Sequence, residues 1–301
     1  MTVLATLLGA TLIVVTLIDI FNVLFNPLGS GRVSRILVRL TWRVFKYLGA
    51  YRHTVLELAG PVAVVNVIGI WLTLLVIGWA LIYWPHLSSG EFLFASGLDP
   101  STCSGIIDSL YFSMTTLTTL GYGDITPTSA WLRMVTPLEA MLGFGLLTAS
   151  LSWVISIYQV LRRRRTLALE VAFLHKEQSA TGLGVAQMDP MVAQQVLGSL
   201  GSQLRTAWND LIQFPITYYF TSSDTQTALS VAMPYLLLLS DEGTSTKCSP
   251  EVQLRASMLH STIHAFTALL TRDFLPDLSP SAPVKEVLEA YAHDHLQVPS
   301  V

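Results

Sequence analysis

Residues 118–124 read Thr118-Thr119-Leu120-Gly121-Tyr122-Gly123-Asp124, and this string lies between two long apolar segments. Gly121 and Gly123 alternate with larger residues, and glycine tolerates backbone conformations that a Cβ atom disfavours. Such a backbone can aim successive carbonyl oxygens at one axis. Rings of carbonyl oxygens, contributed by several copies of one loop, can replace the water around a bare cation. The string therefore indicates a cation-coordinating loop set into a membrane.

The flanks of this string matter because a Gly-Tyr-Gly triplet alone can form an ordinary tight turn. Upstream, residues 105–118 carry a short apolar helical pattern that ends in a threonine-rich run. Downstream, residues 124–127 lead directly into another apolar segment. With both flanks present, the pattern favours a pore loop over a simple turn.

The string resembles the selectivity filter of the potassium-channel pore family, whose signature is T-V-G-Y-G or a close variant. The resemblance covers residues 61–165 and implies an all-α membrane protein with a pore domain. Its expected parts are an outer helix 61–84, a pore helix 105–118, a filter 119–123 and an inner helix 131–160. The expected ligands are backbone carbonyls of Thr119, Leu120, Gly121, Tyr122 and Gly123, with K⁺ as the permeant ion and no cofactor. Leu120 stands where valine is commoner in the family.

The resemblance also implies how the loop is supported and how the pore opens. Tyr111 and Phe112 should pack around the filter as an aromatic cuff, and Asp124 should lie at the outer mouth. Some relatives have a glutamate in the pore helix that pairs with this aspartate, and Thr115 occupies that position here. Gly143 corresponds to the hinge glycine of the inner helix.

Two of these assignments have alternatives that rest on the residues themselves. Gly143 and Gly145 can instead be small residues that allow close helix packing, and this is the preferred interpretation for Gly145. An ionisable residue inside a membrane span is a functional candidate by default. Glu139 is predicted to accept hydrogen bonds behind the filter, with pore-helix threonines as candidate donors, and Asp19 is given a similar structural role near the inner interface.

The composition is that of a membrane protein. Hydrophobic residues make up 51% of the 301-residue chain and charged residues 12%, against roughly a quarter charged in soluble domains. Three stretches, about 3–25, 61–84 and 131–158, reach the ~20 residues that a helix needs to cross the bilayer. The first lacks the basic start of a secretory signal peptide, the alternative interpretation of an apolar N-terminal segment.

Basic residues predict the orientation of the chain, because cytoplasmic loops are enriched in lysine and arginine. One basic cluster lies between the first two spans and another follows the third: Arg32, Arg35, Arg39, Arg43, Lys46 and Arg52, then Arg162 to Arg165. Both should be cytoplasmic, which leaves the N-terminus and residues 85–130 outside a multi-pass protein of the cell membrane. Cys103 and Cys248 would then lie on opposite sides of the bilayer and could not pair.

The chain is expected to have four parts: an N-terminal transmembrane helix 1–26, an amphipathic linker helix 27–60, the pore domain 61–165 and a helical cytoplasmic domain 166–301. The basic residues of the linker are spaced to fall on one helix face, which indicates contact with lipid headgroups or acidic partners. A voltage-sensing helix is the alternative, but the acidic partner spans that a sensor needs are missing.

Residues 166–178 are expected to continue the inner helix, and helical patterns follow over residues 189–212, 224–239, 249–274 and 282–296. Asp189-Pro190 and Ser249-Pro250 are typical helix beginnings, a capping side chain followed by proline, and the apolar run 235–239 is predicted to be a buried helix because it is too short to span. The ligand or partner of the tail is unknown. His260 and His264 are four residues apart and could bind zinc, but no cysteine or glutamate completes the set. Neither an enzyme site nor a nucleic-acid-binding surface is indicated, and Gly182-Leu183-Gly184 is not a dinucleotide fingerprint. The sequence predicts a potassium-selective channel; a potassium transporter or a less selective cation channel of the pore-loop superfamily is the alternative.

Overall fold

A computed structural model of the chain describes residues 2–26, 31–49, 53–96 and 105–295. The α-helices are α1 (Thr2–Leu24), α2 (Arg32–Gly49), α3 (His53–Leu56), α4 (Ala59–Leu87), α5 (Ile106–Leu117), α6 (Ala130–Thr181), α7 (Pro190–Gln213), α8 (Leu229–Gly243), α9 (Pro250–Asp273) and α10 (Val284–Asp294). They form two compact units: residues 1–39 with 63–155, called here the membrane unit, and residues 40–62 with 156–301, called the C-terminal unit.

Three helices are long and apolar enough to cross a membrane, and they are α1, α4 and α6. Each begins within two residues of its predicted span. The third, however, continues without a break to Thr181 and has 52 residues. The sequence predicted this extension of the inner helix past the arginine run. The all-α membrane fold expected from the sequence is therefore confirmed.

Helices α1 and α4 pack backbone to backbone through two glycines. A Cβ atom on Gly9 would lie 2.4 Å from the carbonyl oxygen of Gly78, and one on Gly78 would lie 2.7 Å from Ile13. Small residues allow such close approach inside a membrane, where dispersion contacts replace the hydrophobic effect as the source of helix association. The two glycines therefore fix α1 against α4.

Asp19 of α1 caps the beginning of α2. Its carboxyl group accepts hydrogen bonds from the backbone amides of Val33 and Ser34 at 3.0 and 3.3 Å and also from the Ser34 hydroxyl. The indole of Trp71 in α4 donates to the same group at 3.0 Å. The first amides of a helix have no partner within the helix, so this buried carboxyl group anchors α2 to α1 and α4. The structural role predicted for Asp19 has this basis.

Two short strands, β1 (Phe92–Phe94) and β2 (Ile125–Pro127), form an antiparallel pair on either side of α5. The register pairs Phe92 with Pro127 and Phe94 with Ile125. The sequence did not predict this pair of strands, because three residues are too few to show the alternation that marks a strand. The pair ties the segment after α4 to the segment that follows the filter string.

The C-terminal unit contains the four helices predicted for the tail, α7 to α10. Asp189 caps α7 as expected, with its side chain accepting the amide of Met191 at 2.9 Å. Ser249 occupies the corresponding place before α9, but its side chain makes no capping hydrogen bond. The leucine-rich run in α8 is buried at Leu236 and Leu239, as expected for a helix too short to span.

The second half of α2 also belongs to the C-terminal unit. Trp42 packs edge-on against Tyr218 and His295, with ring centroids 6.3 and 5.5 Å apart. The amine of Lys46 lies 2.6 Å from the carboxyl group of Asp294. Aromatic packing and an ion pair thus fasten this part of the linker to α10 and to the short 3₁₀-helix Pro215–Tyr219.

Candidate pore site

The filter string follows the end of α5, which is positioned at both of its ends. At its beginning, the Asp108 carboxyl group accepts the backbone amide of Gly105 at 3.1 Å, a capping interaction that satisfies an amide outside the helical ladder. At its end, the amide of Thr118 donates to Met114 at 3.1 Å. The predicted pore helix 105–118 therefore corresponds to α5.

The backbone of the string has positive φ at every second residue. The φ angles are 59° at Thr119, 50° at Gly121 and 77° at Gly123. The two glycines fit the expectation that this backbone enters conformations a Cβ disfavours. Thr119 does the same although it is not glycine, and no feature of the sequence predicted that.

The amides of the string are turned toward α5. Leu120 and Gly121 both donate to the carbonyl oxygen of Thr115, at 2.8 and 3.1 Å, and Thr119 donates to Thr116 at 2.9 Å. Thr115 itself is buried, and its hydroxyl donates to Phe112. Thr115 thus supports the loop through its backbone. With the amides of Thr119, Leu120 and Gly121 engaged, the carbonyl oxygens are the groups of this part of the loop that can coordinate a cation.

The side chains of the string face outward from the single chain. Leu120 is 56% exposed and Tyr122 is 67% exposed. Within one chain, neither side chain braces the loop.

Asp124 has a partner that the sequence did not identify. The hydroxyl of Tyr111 donates to its carboxyl group at 2.6 Å, and the amide of Ile125 donates to the other oxygen at 3.1 Å. The Asp124 carbonyl also accepts the amide of Ala95, next to β1. Tyr111 therefore holds the residue after the predicted filter, as the resemblance led us to expect of a pore-helix glutamate.

Phe112 packs away from the string. Its ring lies 5.0 Å from that of Tyr83 in α4 and 5.2 Å from that of Phe92 in β1, both edge-on. Aromatic pairs favour this arrangement because the positive ring edge meets the negative face. Phe112 thus joins α5 to α4 and β1, while Tyr111 contacts the loop end.

Glu139 is fully buried in α6. Its carboxyl group accepts the Tyr83 hydroxyl at 2.8 Å and the Ser113 hydroxyl at 2.6 Å. The pore-helix donor is a serine rather than one of the expected threonines. Tyr83 is 56 positions away in the sequence, and nothing in the pattern linked the two residues. This three-residue network ties α4, α5 and α6 together behind the string.

Gly143 lies against the end of α5. A Cβ atom at this position would be 1.9 Å from the carbonyl oxygen of Leu117, a distance that no side chain tolerates. Around Gly145, in contrast, a Cβ would meet nothing within 4 Å in the single chain. Close packing therefore requires glycine at Gly143, the alternative that the sequence left open there beside a hinge, and the packing interpretation of Gly145 stays a prediction.

A second polar network lies after α4. Glu91 accepts the indole of Trp131 at 3.1 Å and lies 3.0 Å from the His86 ring nitrogen. The hydrogen bond with His86 holds the pKa of Glu91 below its usual value. Cys103 lies outside the described residues, and Cys248 is a free, half-buried thiol.

The candidate zinc ligands of the tail do lie together. The Nε2 atoms of His260 and His264 are 3.0 Å apart, and Asp241 lies 3.3 Å from the other ring nitrogen of His260. Within residues 2–26, 31–49, 53–96 and 105–295, however, no three or more His, Cys, Asp or Glu side chains are arranged so that they could hold a metal ion.

Comparison with known proteins gives a family for the central segment. A family model described as "Ion channel" matches residues 69–160. Two-pore potassium channel 5 of Arabidopsis thaliana is 39% identical over 51 residues, 17% of this chain and 12% of the plant protein. Protein LctB of Geobacillus stearothermophilus is 35% identical over 79 residues, 25% of this chain and 57% of LctB.

A longer match extends beyond the pore segment. An uncharacterized membrane protein of Bacillus subtilis strain 168, YdjJ, is 26% identical over 239 residues, which are 76% of this chain and 66% of YdjJ. No solved structure matches the chain. Residues 69–160 thus match the ion-channel family model, and the resemblance to the potassium-channel pore family is confirmed.

Proposed function

We propose, on the premise that residues 69–160 are an ion-channel pore domain, that this protein conducts potassium selectively. The observation that carries the proposal is the backbone of residues 119–123. Positive φ at every second residue and amides bonded to Thr115 favour carbonyl oxygens as the lining of the ion path. Stacked carbonyl rings replace the hydration shell of K⁺.

The proposed assembly is a homotetramer of 33.0 kDa subunits. One loop supplies one quarter of each carbonyl ring, so four copies are needed. Exposed apolar side chains support association, since they run along α6 at intervals of three or four residues: Met134, Leu138, Met141, Phe144, Leu147, Leu151 and Ile155. Leu120 and Tyr122, uncovered in one chain, would be covered by a neighbouring subunit.

The remaining residues receive roles around this path. Glu139 would position α5 through Ser113, and Asp124 would form the outer mouth with Tyr111. Gly143 would seat α6 against the end of α5, so that a bend there must change this contact. These roles concern filter support and gating.

The proposed topology has the N-terminus and residues 85–130 outside and the C-terminal unit in the cytoplasm. The basic clusters on α2 and at residues 162–165 support it. A cysteine introduced at exposed Ser89 should react with an impermeant thiol reagent on intact cells, and one at Met191, which is 79% exposed, should not. The reverse labelling pattern would invert the topology.

The experiment that tests selectivity is a bi-ionic reversal potential for K⁺ against Na⁺, measured on purified protein in planar bilayers. A strong preference for K⁺ is expected. Equal permeability would favour the alternative of a less selective cation channel, and flux coupled to a second ion would favour a transporter.

Gly121→Ala tests the filter backbone itself. An alanine at φ 50° is strained by roughly 1–2 kcal/mol, and four subunits carry the strain around one ion path. We expect potassium current to be lost. Gly69→Ala in α4 is the matched control, since a Cβ there meets nothing within 4 Å. A Gly121→Ala channel with normal current would show that the filter is assigned wrongly.

A further inference from the structure

The C-terminal unit contains a cleft at the beginning of α8 that the proposed pore does not use. Its closed interior has room for about one water-sized group, and the rest of the cleft is open to solvent. Its polar lining comes from α6, from the segment before α8 with the first turn of that helix, and from the residue after α10: Arg164, Arg165, Thr221, Ser222, Ser230 and His295. Three sequence-distant segments therefore converge on one small space.

The two arginines bring positive charge that the described residues do not neutralise. The Arg164 guanidinium donates to the backbone carbonyls of Thr217 and Phe220. None of the ion pairs formed by the described residues includes Arg164 or Arg165. Asp294, the acid beside His295, is engaged by Lys46 and by the Tyr218 hydroxyl. A half-buried cation held only by carbonyl groups favours a nearby anion.

The beginning of α8 adds to this field. Ala228 occupies the capping position and offers no side-chain acceptor, so the first amides of the 15-residue helix are not capped by a side chain. These amides carry the positive end of the helix dipole. Helix beginnings of this kind bind phosphate and related anions.

Two buried polar atoms of the lining lack a partner within the described part of the chain. They are the hydroxyl oxygen of Thr221, a residue 9% exposed, and Nε2 of His295, a residue 3% exposed. Buried polar groups are nearly always hydrogen-bonded in folded proteins. Both residues line the cleft, so a polar ligand there would satisfy them.

We propose that this cleft binds a phosphate group, recognised by Arg164, Arg165, the Thr221 hydroxyl and the first amides of α8. The tetrahedral oxyanion offers several acceptors and the negative charge that guanidinium groups and a helix beginning favour. Inorganic phosphate, a soluble phosphomonoester and a phospholipid headgroup share this chemistry. The site is independent of the ion path and does not rest on potassium selectivity.

The test is isothermal titration calorimetry of sodium phosphate into the full chain in detergent, against sodium chloride at the same ionic strength. Binding of phosphate with a saturable heat is expected. Thr221→Val keeps the shape and charge of the residue and removes only the hydroxyl. Since a hydrogen bond to a charged group is lost, affinity should fall by about tenfold or more, without a loss of thermal stability in phosphate-free buffer.

Two further variants separate a specific site from general attraction. Arg165→Gln should weaken phosphate binding, and Arg255→Gln, which removes an exposed arginine of α9 outside the cleft, should leave it unchanged. Equal effects of both, or no effect of Thr221→Val, would overturn the proposal.

The source of the phosphate group is decided in a second arm. The protein is placed in nanodiscs of phosphatidylcholine with and without phosphatidic acid, and protection of α8 amides from hydrogen exchange is measured. Protection by dissolved phosphate indicates a soluble ligand, and protection only by phosphatidic acid indicates a lipid headgroup; Thr221→Val should abolish either. Absence of protection in both arms, together with no calorimetric binding, would refute the site.

Discussion

The membrane unit and the C-terminal unit satisfy their buried acidic side chains with different kinds of donor. Glu139 accepts only hydroxyl groups, from Tyr83 and Ser113, in the contacts that the structure describes. Asp210 of the C-terminal unit, 5% exposed, instead receives two hydrogen bonds from the Arg163 guanidinium, at 2.7 and 2.8 Å. The first acid has neutral partners and the second a cationic one.

The same contrast holds for other acids. Asp19 is held by amides, a hydroxyl and an indole, and Asp124 by a phenol and an amide. Asp294 pairs with Lys46. The pair formed by Glu91 and His86 is the exception in the membrane unit, and it lies beyond the end of the α4 span.

Electrostatics explains why this difference suits the proposed cation channel. A lysine or arginine fixed behind the proposed filter would repel the permeant ion, and inside a low-dielectric membrane that repulsion would be weakly screened. Hydroxyl donors satisfy a carboxyl group without adding net charge. In the C-terminal unit, where no ion path is proposed, guanidinium and ammonium groups can be used freely.

The largest expected effect is the loss of stability when the ion pair between Asp210 and Arg163 in the C-terminal unit is broken. Asp210→Asn should destabilise the C-terminal unit by about 2 kcal/mol, because it leaves the guanidinium of Arg163 without its counter-charge. The figure is lower than for a fully buried pair, since Arg163 is 47% exposed. Hydrogen exchange of α7 amides measures the change.

The matching control for Asp210→Asn is a double-mutant cycle with Arg163→Gln. The double variant should lose less stability than the sum of the single losses. If the stability losses of the two single variants are strictly additive, the two side chains do not stabilise each other. Asp210 would then not be an acid stabilised by a cationic partner.

The second effect is a pH response of the C-terminal unit. Burial lowers the pKa of His295 to about 3, whereas an unfolded histidine titrates near 6.5. Between these values the unfolded chain binds a proton that the folded chain does not, so stability falls as pH falls. At pH 5 the loss is about 2 kcal/mol.

Urea midpoints between pH 7 and pH 5, in phosphate-free buffer, measure this response. His295→Phe should flatten the dependence, since phenylalanine fits beside Trp42 and Tyr218 and does not titrate. An unchanged pH slope in the variant would assign the response to other groups.

A smaller effect is expected at the neutral network of the membrane unit. Glu139→Gln retains one acceptor oxygen and should cost about 1 kcal/mol of stability, with K⁺ over Na⁺ preference reduced less than tenfold. Thermal unfolding and reversal potentials provide the readouts, with Ser113→Ala as the variant that removes one donor. A loss as large as that of Asp210→Asn would erase the distinction between neutral and ionic partners.

The smallest effect concerns the outer mouth. Tyr111→Phe removes only the hydroxyl group that donates a hydrogen bond to Asp124, and the loss of this bond should cost roughly 0.5–1 kcal/mol of stability. Currents should decline faster during sustained opening, while the reversal potential stays unchanged because the carbonyl rings remain. Asp124→Asn retains an acceptor for Tyr111 and should behave more mildly. A shifted reversal potential in Tyr111→Phe would mean that this hydrogen bond shapes the filter itself.

The sequence predicted those elements whose signals are local. Apolar length located the three spans, and capping residues with proline located the beginnings of α7 and α9 within one residue. The string of residues 119–123 was identified as a candidate filter from its two alternating glycines, and Gly121 and Gly123 both have the positive φ expected of them. In each case the determining forces act between near neighbours in the chain.

The features that the sequence did not predict depend on contacts between residues that are distant in the chain. Glu139 was identified as a buried acceptor, but its partner Tyr83 is set by the packing of α4 against α6. The pairing of Arg163 with Asp210 likewise brings together two helices of the C-terminal unit. One sequence contains no local signal for such pairs. The positive φ at Thr119, whose amide donates to Thr116, has no signal in its residue type either.

The contact of Gly9 with Gly78 gives α1 an uneven tolerance to mutation. Leu7 and Leu8 are 60% and 56% exposed, so other apolar residues can replace them with little consequence. At Gly9 even alanine meets a backbone oxygen at 2.4 Å, and backbone cannot swing aside as a side chain can. The volume of the side chain therefore limits which substitutions are tolerated at Gly9, whereas polarity limits them at Leu7 and Leu8. All three positions nevertheless lie in the same apolar stretch.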